Sequence, residues 1–115
     1  MEEMKKYWDI EQTKLKEHYF YKDDKLHGLL SAWYLNGQIR CKCNYTDGVS
    51  DGFSEYWYEN GQKSEEAYHV NGLLCRLYKS WYYSGDKRVE CWYVEGIEYK
   101  SQEEFEESLI ANKAW

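Results

Sequence analysis

The chain has 115 residues, no proline, thirteen tyrosines and a formal net charge of −6 at neutral pH. That length suits one domain and is short for two, and the acidic balance argues against a binder of phosphate backbones or anionic membranes. Apolar runs of only a few residues leave no segment that could cross a bilayer as a helix. The opening "MEEMKKYWDI" has neither an apolar stretch nor a cleavage site, so no secretory leader is expected. Four cysteines (Cys41, Cys43, Cys75 and Cys91) then point to reduced thiols and a cytoplasmic setting.

Residues 1–28 form an irregular first row. Their first half, "KKYWDIE" (5–11), is a degenerate strand that has lost its glycine. The stretch 13–28, "TKLKEHYFYKDDKLHG", keeps a strand pattern that recurs later: Leu15 corresponds to Ile39 and Tyr21 to Tyr45. Three fuller rows follow, over 29–52, 53–76 and 77–100. Each carries one phrase at a spacing of 24 residues: "WYLNGQ" (33–38), "WYENGQ" (57–62) and "WYYSGD" (81–86). All eight glycines fall into three columns of this arrangement. Such order is the mark of an internal repeat, read as stacked supersecondary units.

Each row reads as two strands. "LLSAWYL" (29–35), "FSEYWYE" (53–59) and "LYKSWYY" (77–83) lead into Asn-Gly or Ser-Gly turns. "QIRCKCNY" (38–45), "QKSEEAYHV" (62–70) and "KRVECWYV" (87–94) return, and Asp-Gly, Asn-Gly or Glu-Gly reverses the chain again. The expected fold is mainly β: a single-layer antiparallel meander of about eight strands, ~35–40 Å long at ~4.8 Å per strand. The tail, 101–115, changes character. Ser101 stands three residues before Glu104 as in a capping box, and Phe105, Leu109 and Ile110 share one helical face. A helix over about 102–112 is expected to cap the last strand.

A hairpin bulge is expected to pair Leu29 with Cys43, Phe53 with Ala67 and Leu77 with Cys91, large residues against small. One face would then carry Leu29, Phe53, Leu77, the tryptophans Trp33, Trp57 and Trp81, and Tyr21, Tyr45, His69 and Tyr93. The other would carry Tyr34, Tyr58 and Tyr82 with Phe20, Tyr68 and Trp92. A single layer cannot bury both faces, and tyrosine suits an exposed recognition surface. Those six residues, Phe20, Tyr34, Tyr58, Tyr68, Tyr82 and Trp92, are therefore the candidate partner-binding set.

Cys41 and Cys43, two apart on a strand, point to one face, and His69 stands one row later as a third potential metal ligand. A closed zinc site needs four well-placed ligands, so the plainer reading is small packing residues, with no metal or cofactor. Catalysis has no support either. His18, His27 and His69 lie in unlike contexts, adjacent Glu65 and Glu66 point to opposite faces, and every glycine is already used in a turn.

The Trp-Tyr-x-Asn-Gly-Gln phrase, the later Asp-Gly and the 24-residue hairpin unit resemble the MORN-repeat family over roughly 14–100. The variant repeats of bacterial antitoxin-type proteins and of bacterial and viral repeat proteins are the most similar. The pattern departs in the first row and at Arg76 and Lys100, where a glycine is missing. The resemblance implies a meander of hairpins and a scaffold or binding module without catalytic residues. It also implies a bacterial or viral-host cytosol. The leading expectation is an acidic protein-binding module that neutralises a toxin or other enzyme. Its alternative is a phage- or virus-encoded inhibitor of a host defence complex, of the anti-CRISPR or nucleic-acid-mimicking kind. Other classes are a self-associating scaffold and a nucleotide or sugar binder using stacked aromatics. The partner expected is a protein, with no membrane and no direct nucleic-acid binding.

Overall fold

The computed structural model describes residues 1–99 together with 101, 103, 104, 106 and 107. Within them the chain forms one open antiparallel sheet. Its eleven strands are β1 (Glu2–Tyr7), β2 (Leu15–Lys22), β3 (Lys25–Leu26), β4 (Gly28–Trp33), β5 (Ile39–Thr46), β6 (Val49–Trp57), β7 (Lys63–Val70), β8 (Leu73–Leu74), β9 (Arg76–Trp81), β10 (Lys87–Val94) and β11 (Ile97–Tyr99). They lie in chain order, with the short β3 and β8 continuing the pairing of β4 and β9 along β2 and β7. At each break one backbone bond carries the pairing across: His27 N–H donates to the Phe20 carbonyl, and Cys75 N–H to that of Tyr68. The backbone extends over 55 × 40 × 11 Å, one layer deep.

Two turn types alternate. At the first, Gly37, Gly61 and Gly85 donate their N–H to the carbonyls of Tyr34, Tyr58 and Tyr82. Only the glycine takes a positive φ there, while the preceding Asn36 or Asn60 stays in ordinary space and closes the turn by accepting a backbone N–H on Oδ1 at 2.9 Å. At the second, both central residues are left-handed, as in Asp47-Gly48, Asn71-Gly72 and Glu95-Gly96. Such two-residue turns match the twist of the flanking strands. The irregular first row keeps the second device at Asp23-Asp24, where both residues are left-handed, but not the first. Asp9 instead accepts the N–H groups of Thr13 and Lys14 on its carboxylate, and Gln12 takes the positive φ. Arg76, where a glycine is missing, keeps a φ of 66° and lays its guanidinium 4.4 Å from the Tyr68 ring centre. Cation–π attraction offsets part of that backbone strain.

Hydrogen bonds between successive hairpins bind both rims of the sheet. Tyr34 Oη donates to the Trp57 carbonyl at 2.6 Å, and Tyr58 Oη to the Trp81 carbonyl at 2.7 Å. Asn36 Nδ2 and Asn60 Nδ2 reach the carbonyls of Glu59 and Tyr83. In the irregular row the indole of Trp8 takes the tyrosine's part and donates to the Trp33 carbonyl. On the opposite rim, the N–H groups of Gly48, Gly72 and Gly96 donate back to Leu26, Ser50 and Leu74.

The pairing corrects the expected register by one residue. Leu30, not Leu29, faces Cys43; Ser54, not Phe53, faces Ala67; Tyr78, not Leu77, faces Cys91. A bulge is present in each hairpin, but it sits beside the tryptophan. Trp33 faces Ile39 and Ala32 faces Cys41, so Arg40 is the extra residue and the shift is complete before the rest of the ladder begins. Because side chains alternate between faces, a one-residue shift exchanges them. Tyr21, Tyr45, His69 and Tyr93 therefore leave the tryptophans and join the cysteines, whereas Phe20, Tyr68 and Trp92 join the tryptophans.

The two faces differ in burial. The buried apolar residues Tyr19, Ala32, Cys41, Cys43, Ala67 and Cys91 all lie on the cysteine face. Its best-packed part is Ala32, Cys41 and Cys43 with Leu30, Tyr45 and Tyr56 against them. Small side chains sink between large ones there, which is how a single layer acquires a core. The helix expected over 102–112 falls largely outside the described residues, though the Ser101 hydroxyl does accept the Glu104 N–H at 3.1 Å.

The glycine columns should not be equally tolerant. A Cβ on Gly72 would lie 2.9 Å from Val49 Cγ1, whereas one on Gly37 would meet nothing within 4 Å; both backbones are left-handed. Gly37→Ala should cost about 1 kcal/mol of conformational strain, and Gly72→Ala roughly twice that, as measured by denaturant titration. Equal losses would show that Val49 moves aside freely.

Candidate docking face

On the tryptophan face the strands align their side chains in rows that run across the sheet. The middle row is continuous over eight strands: Lys5, His18, Ser31, Lys42, Glu55, Glu66, Lys79 and Glu90 pair in succession without a slip. On one side of it stand Trp33, Trp57 and Trp81, paired with Ile39, Lys63 and Lys87. On the other side lies a mainly apolar row, interrupted by Asn44 opposite Leu29. Phe53 faces Tyr68, Leu77 faces Trp92, Trp92 faces Tyr99, and Phe20 and Leu29 occupy the same level on β2 and β4.

Charge in the middle row is balanced locally. Glu55 and Glu66 face one another directly, an arrangement that repels. Lys63 resolves it, because its ammonium lies 2.7 Å from Glu55 Oε2 and 2.8 Å from Glu66 Oε2 while resting 5.4 Å from the Trp57 ring centre. Burial acts to lower the Lys63 pKa, but the hydrogen bonds to Glu55 and Glu66 outweigh it and raise the pKa above its ordinary value. At the ends of the row Glu3 lies 3.6 Å from His18, and Glu90 lies between Lys79 and Lys87. The carboxyl of Glu90 is held below its usual range by the Lys87 hydrogen bond.

The apolar row is uncovered among the described residues. Leu29 is 42% exposed and Phe53 41%, while Phe20, Tyr68, Leu77 and Trp92 are half-buried by their neighbours. The six residues expected to bind a partner thus separate into two groups. Phe20, Tyr68 and Trp92 come together on this face. Tyr34 and Tyr58 do not, since they are half-buried at the rim with their hydroxyls on the next hairpin's carbonyls. Tyr82, their counterpart in the third hairpin, is 53% exposed. The Lys63–Glu55–Glu66 cluster escaped sequence reasoning because Glu55 joins it across strands, and Lys63 and Glu66, three apart on β7, share a face only through the bulge beside Trp57.

The cysteine face is lined by phenols and thiols. The neighbouring Cys41, with Tyr56 and Ser54 close by, outweighs burial and holds the Cys43 thiol below its ordinary value. Cys43 in turn, together with burial, pushes Cys41 up. Burial, then the neighbouring Cys43, raises Tyr56, and burial followed by Cys91 pushes Tyr93 up to about 12. His69 shares this face, facing Gly52 and Leu74, with its Nδ1 buried and unbonded. It does not complete a site with the thiols. Among the described residues no three His, Cys, Asp or Glu side chains come together as a metal cage.

Compared with protein-family models, curated proteins and solved structures, the chain matches none. Among the described residues no helix is long and apolar enough to cross a membrane.

Lys63→Met should cost about 1–2 kcal/mol at neutral pH, because two part-buried carboxylates are left facing one another. A raised lysine pKa gives stability that is full below the unfolded value and lost as pH rises through the folded one, so in the parent chain the triad should weaken above about pH 10.5. Urea titrations of both proteins from about pH 7 to 11 measure the loss and its slope.

Proposed function

We propose that the chain is a non-catalytic, acidic protein-binding module, built from 24-residue MORN-like hairpins with a C-terminal helix, and that it docks a protein on its tryptophan face. The observation that carries this reading is the uncovered row from Phe20 to Trp92, in which Leu29 and Phe53 each keep more than 40% of their surface open. An apolar row beside tryptophans and a charged row has the make-up of an interface, with aromatic anchors inside and charge around them. The net charge of −6 favours a partner with a basic surface and speeds its approach. A toxin or other enzyme neutralised by direct binding fits that description. The reading moves the anchors from Tyr34 and Tyr58, whose hydroxyls are spent on joints between hairpins, to Phe53 and Tyr68.

Affinity capture from the native host identifies the partner, and two variants then separate the faces. Phe53→Ala should weaken the complex about thirtyfold, equivalent to ~2 kcal/mol, while unfolding near the parent temperature. Tyr58→Phe should lose about 1 kcal/mol of stability with the removed hydrogen bond and leave affinity unchanged. The reverse outcome, with Tyr58→Phe losing the partner and Phe53→Ala keeping it, would place recognition on the hairpin rim.

A further inference from the structure

Cys41 and Cys43 are both buried, at 8% and 3% exposure, and both are free thiols. Standing two residues apart on β5, they point to the same face, where Cys41 meets Ala32 and Tyr56 while Cys43 meets Leu30 and Ser54. On β6, Tyr56 stands directly across from Cys41 and Ser54 directly across from Cys43, so two thiols and two hydroxyls share one patch of this face.

We propose that Cys41 and Cys43 form a binding site for a soft, two-coordinate monovalent metal ion, of which copper(I) is the representative. Thiolate sulfur selects soft ions. Zinc prefers four ligands in a tetrahedron, and among the described residues these two thiols gain no third His, Cys, Asp or Glu. Two ligands on one strand face instead suit an ion that needs only two. Charge supports the same choice. Two thiolates around a single positive charge leave one net negative charge on the sulfurs, and Tyr56 and Ser54, on β6 opposite the two cysteines, bring hydroxyl donors to the same patch. Binding forms two sulfur–metal bonds and releases the thiol protons to solvent, with no change of oxidation state.

The other hairpins show why there would be one such site. The positions equivalent to Cys41 and Cys43 are Glu65 and Ala67 in the next hairpin, and Val89 and Cys91 in the last. Only β5 presents the thiol pair.

Anaerobic titration of the intact chain with copper(I), against a chromophoric copper(I) competitor, tests the assignment. One ion per chain should be retained, with a thiolate-to-metal charge-transfer band in the near ultraviolet. Cys41→Ser and Cys43→Ser should each weaken binding at least a hundredfold, or about 2.7 kcal/mol, while keeping the parent far-ultraviolet circular dichroism; Cys75→Ser should bind as the parent does. Tyr56→Phe should cost about tenfold, the usual weight of an outer hydrogen bond to a metal ligand. Val89→Cys should create a second copper(I) equivalent beside Cys91, a gain that misfolding cannot imitate. Loss of all copper to the competitor, parent-like binding by Cys43→Ser, or no second equivalent in a folded Val89→Cys chain would each overturn it.

Discussion

The carbonyl oxygens of Trp33, Trp57 and Trp81 each accept a side-chain donor from the hairpin before: Trp8, Tyr34 and Tyr58 respectively. Among the described residues no second layer holds the strands flat, so these joints, with the glycine N–H bonds of the other rim, fix each hairpin relative to the next. The ladder supplies backbone pairing within the sheet, and the rims supply alignment between hairpins. Every contact of this kind is with a sequence neighbour. Stability is then close to a sum of unit and nearest-neighbour contributions, and a fault in one hairpin is felt mainly by the two beside it.

That constraint decides what the side chains are free to do. The hydroxyls of Tyr34 and Tyr58 are engaged in holding the rim, however prominent their column is in the sequence. Packing falls to the two faces. The cysteine face takes most of the packing, because Ala, Ser and Cys can sink between phenol rings. The tryptophan face instead balances its charges along one row and leaves an apolar row open. The division follows from residue size: small residues alternate with large ones on one face, and on the other nearly every position is large or charged.

The hairpins were legible in the sequence because turns are local. Asn36-Gly37 and Asp47-Gly48 announce reversal through residues that tolerate left-handed backbone, and the structure bends at both. Arg76 shows the limit of that logic, since a positive φ persists there without a glycine. Register was harder to read. In the first full hairpin, Leu29 or Leu30 opposite Cys43 sets a large residue against a small one either way, and in the next, size complementarity favours Phe53 opposite Ala67 whereas Ser54 takes that place. The location of the bulge chose, and it depends on the tryptophan pairing with Ile39 rather than on any pattern in the ladder. A single residue of slip was enough to move Phe20, Tyr68 and Trp92 to the other side of the sheet.

Asn36 and Asn60 each close their own turn with one amide atom and reach the next hairpin with the other, whereas Ser84 has only a hydroxyl, which it shares with Asp86. The joint formed by Tyr34 and Asn36 with Trp57 and Glu59 is chemically the same as that formed by Tyr58 and Asn60 with Trp81 and Tyr83. Excising one whole hairpin would bring Tyr34 and Asn36 onto the carbonyls of Trp81 and Tyr83, donors and acceptors still matched. Copying one would add two strands, about 10 Å of sheet, without asking any side chain to find a new kind of partner. Unequal recombination within the gene could thus lengthen or shorten the reach of the surface in fixed steps. The chemistry of the rim makes length a heritable variable that can change before any contact residue does.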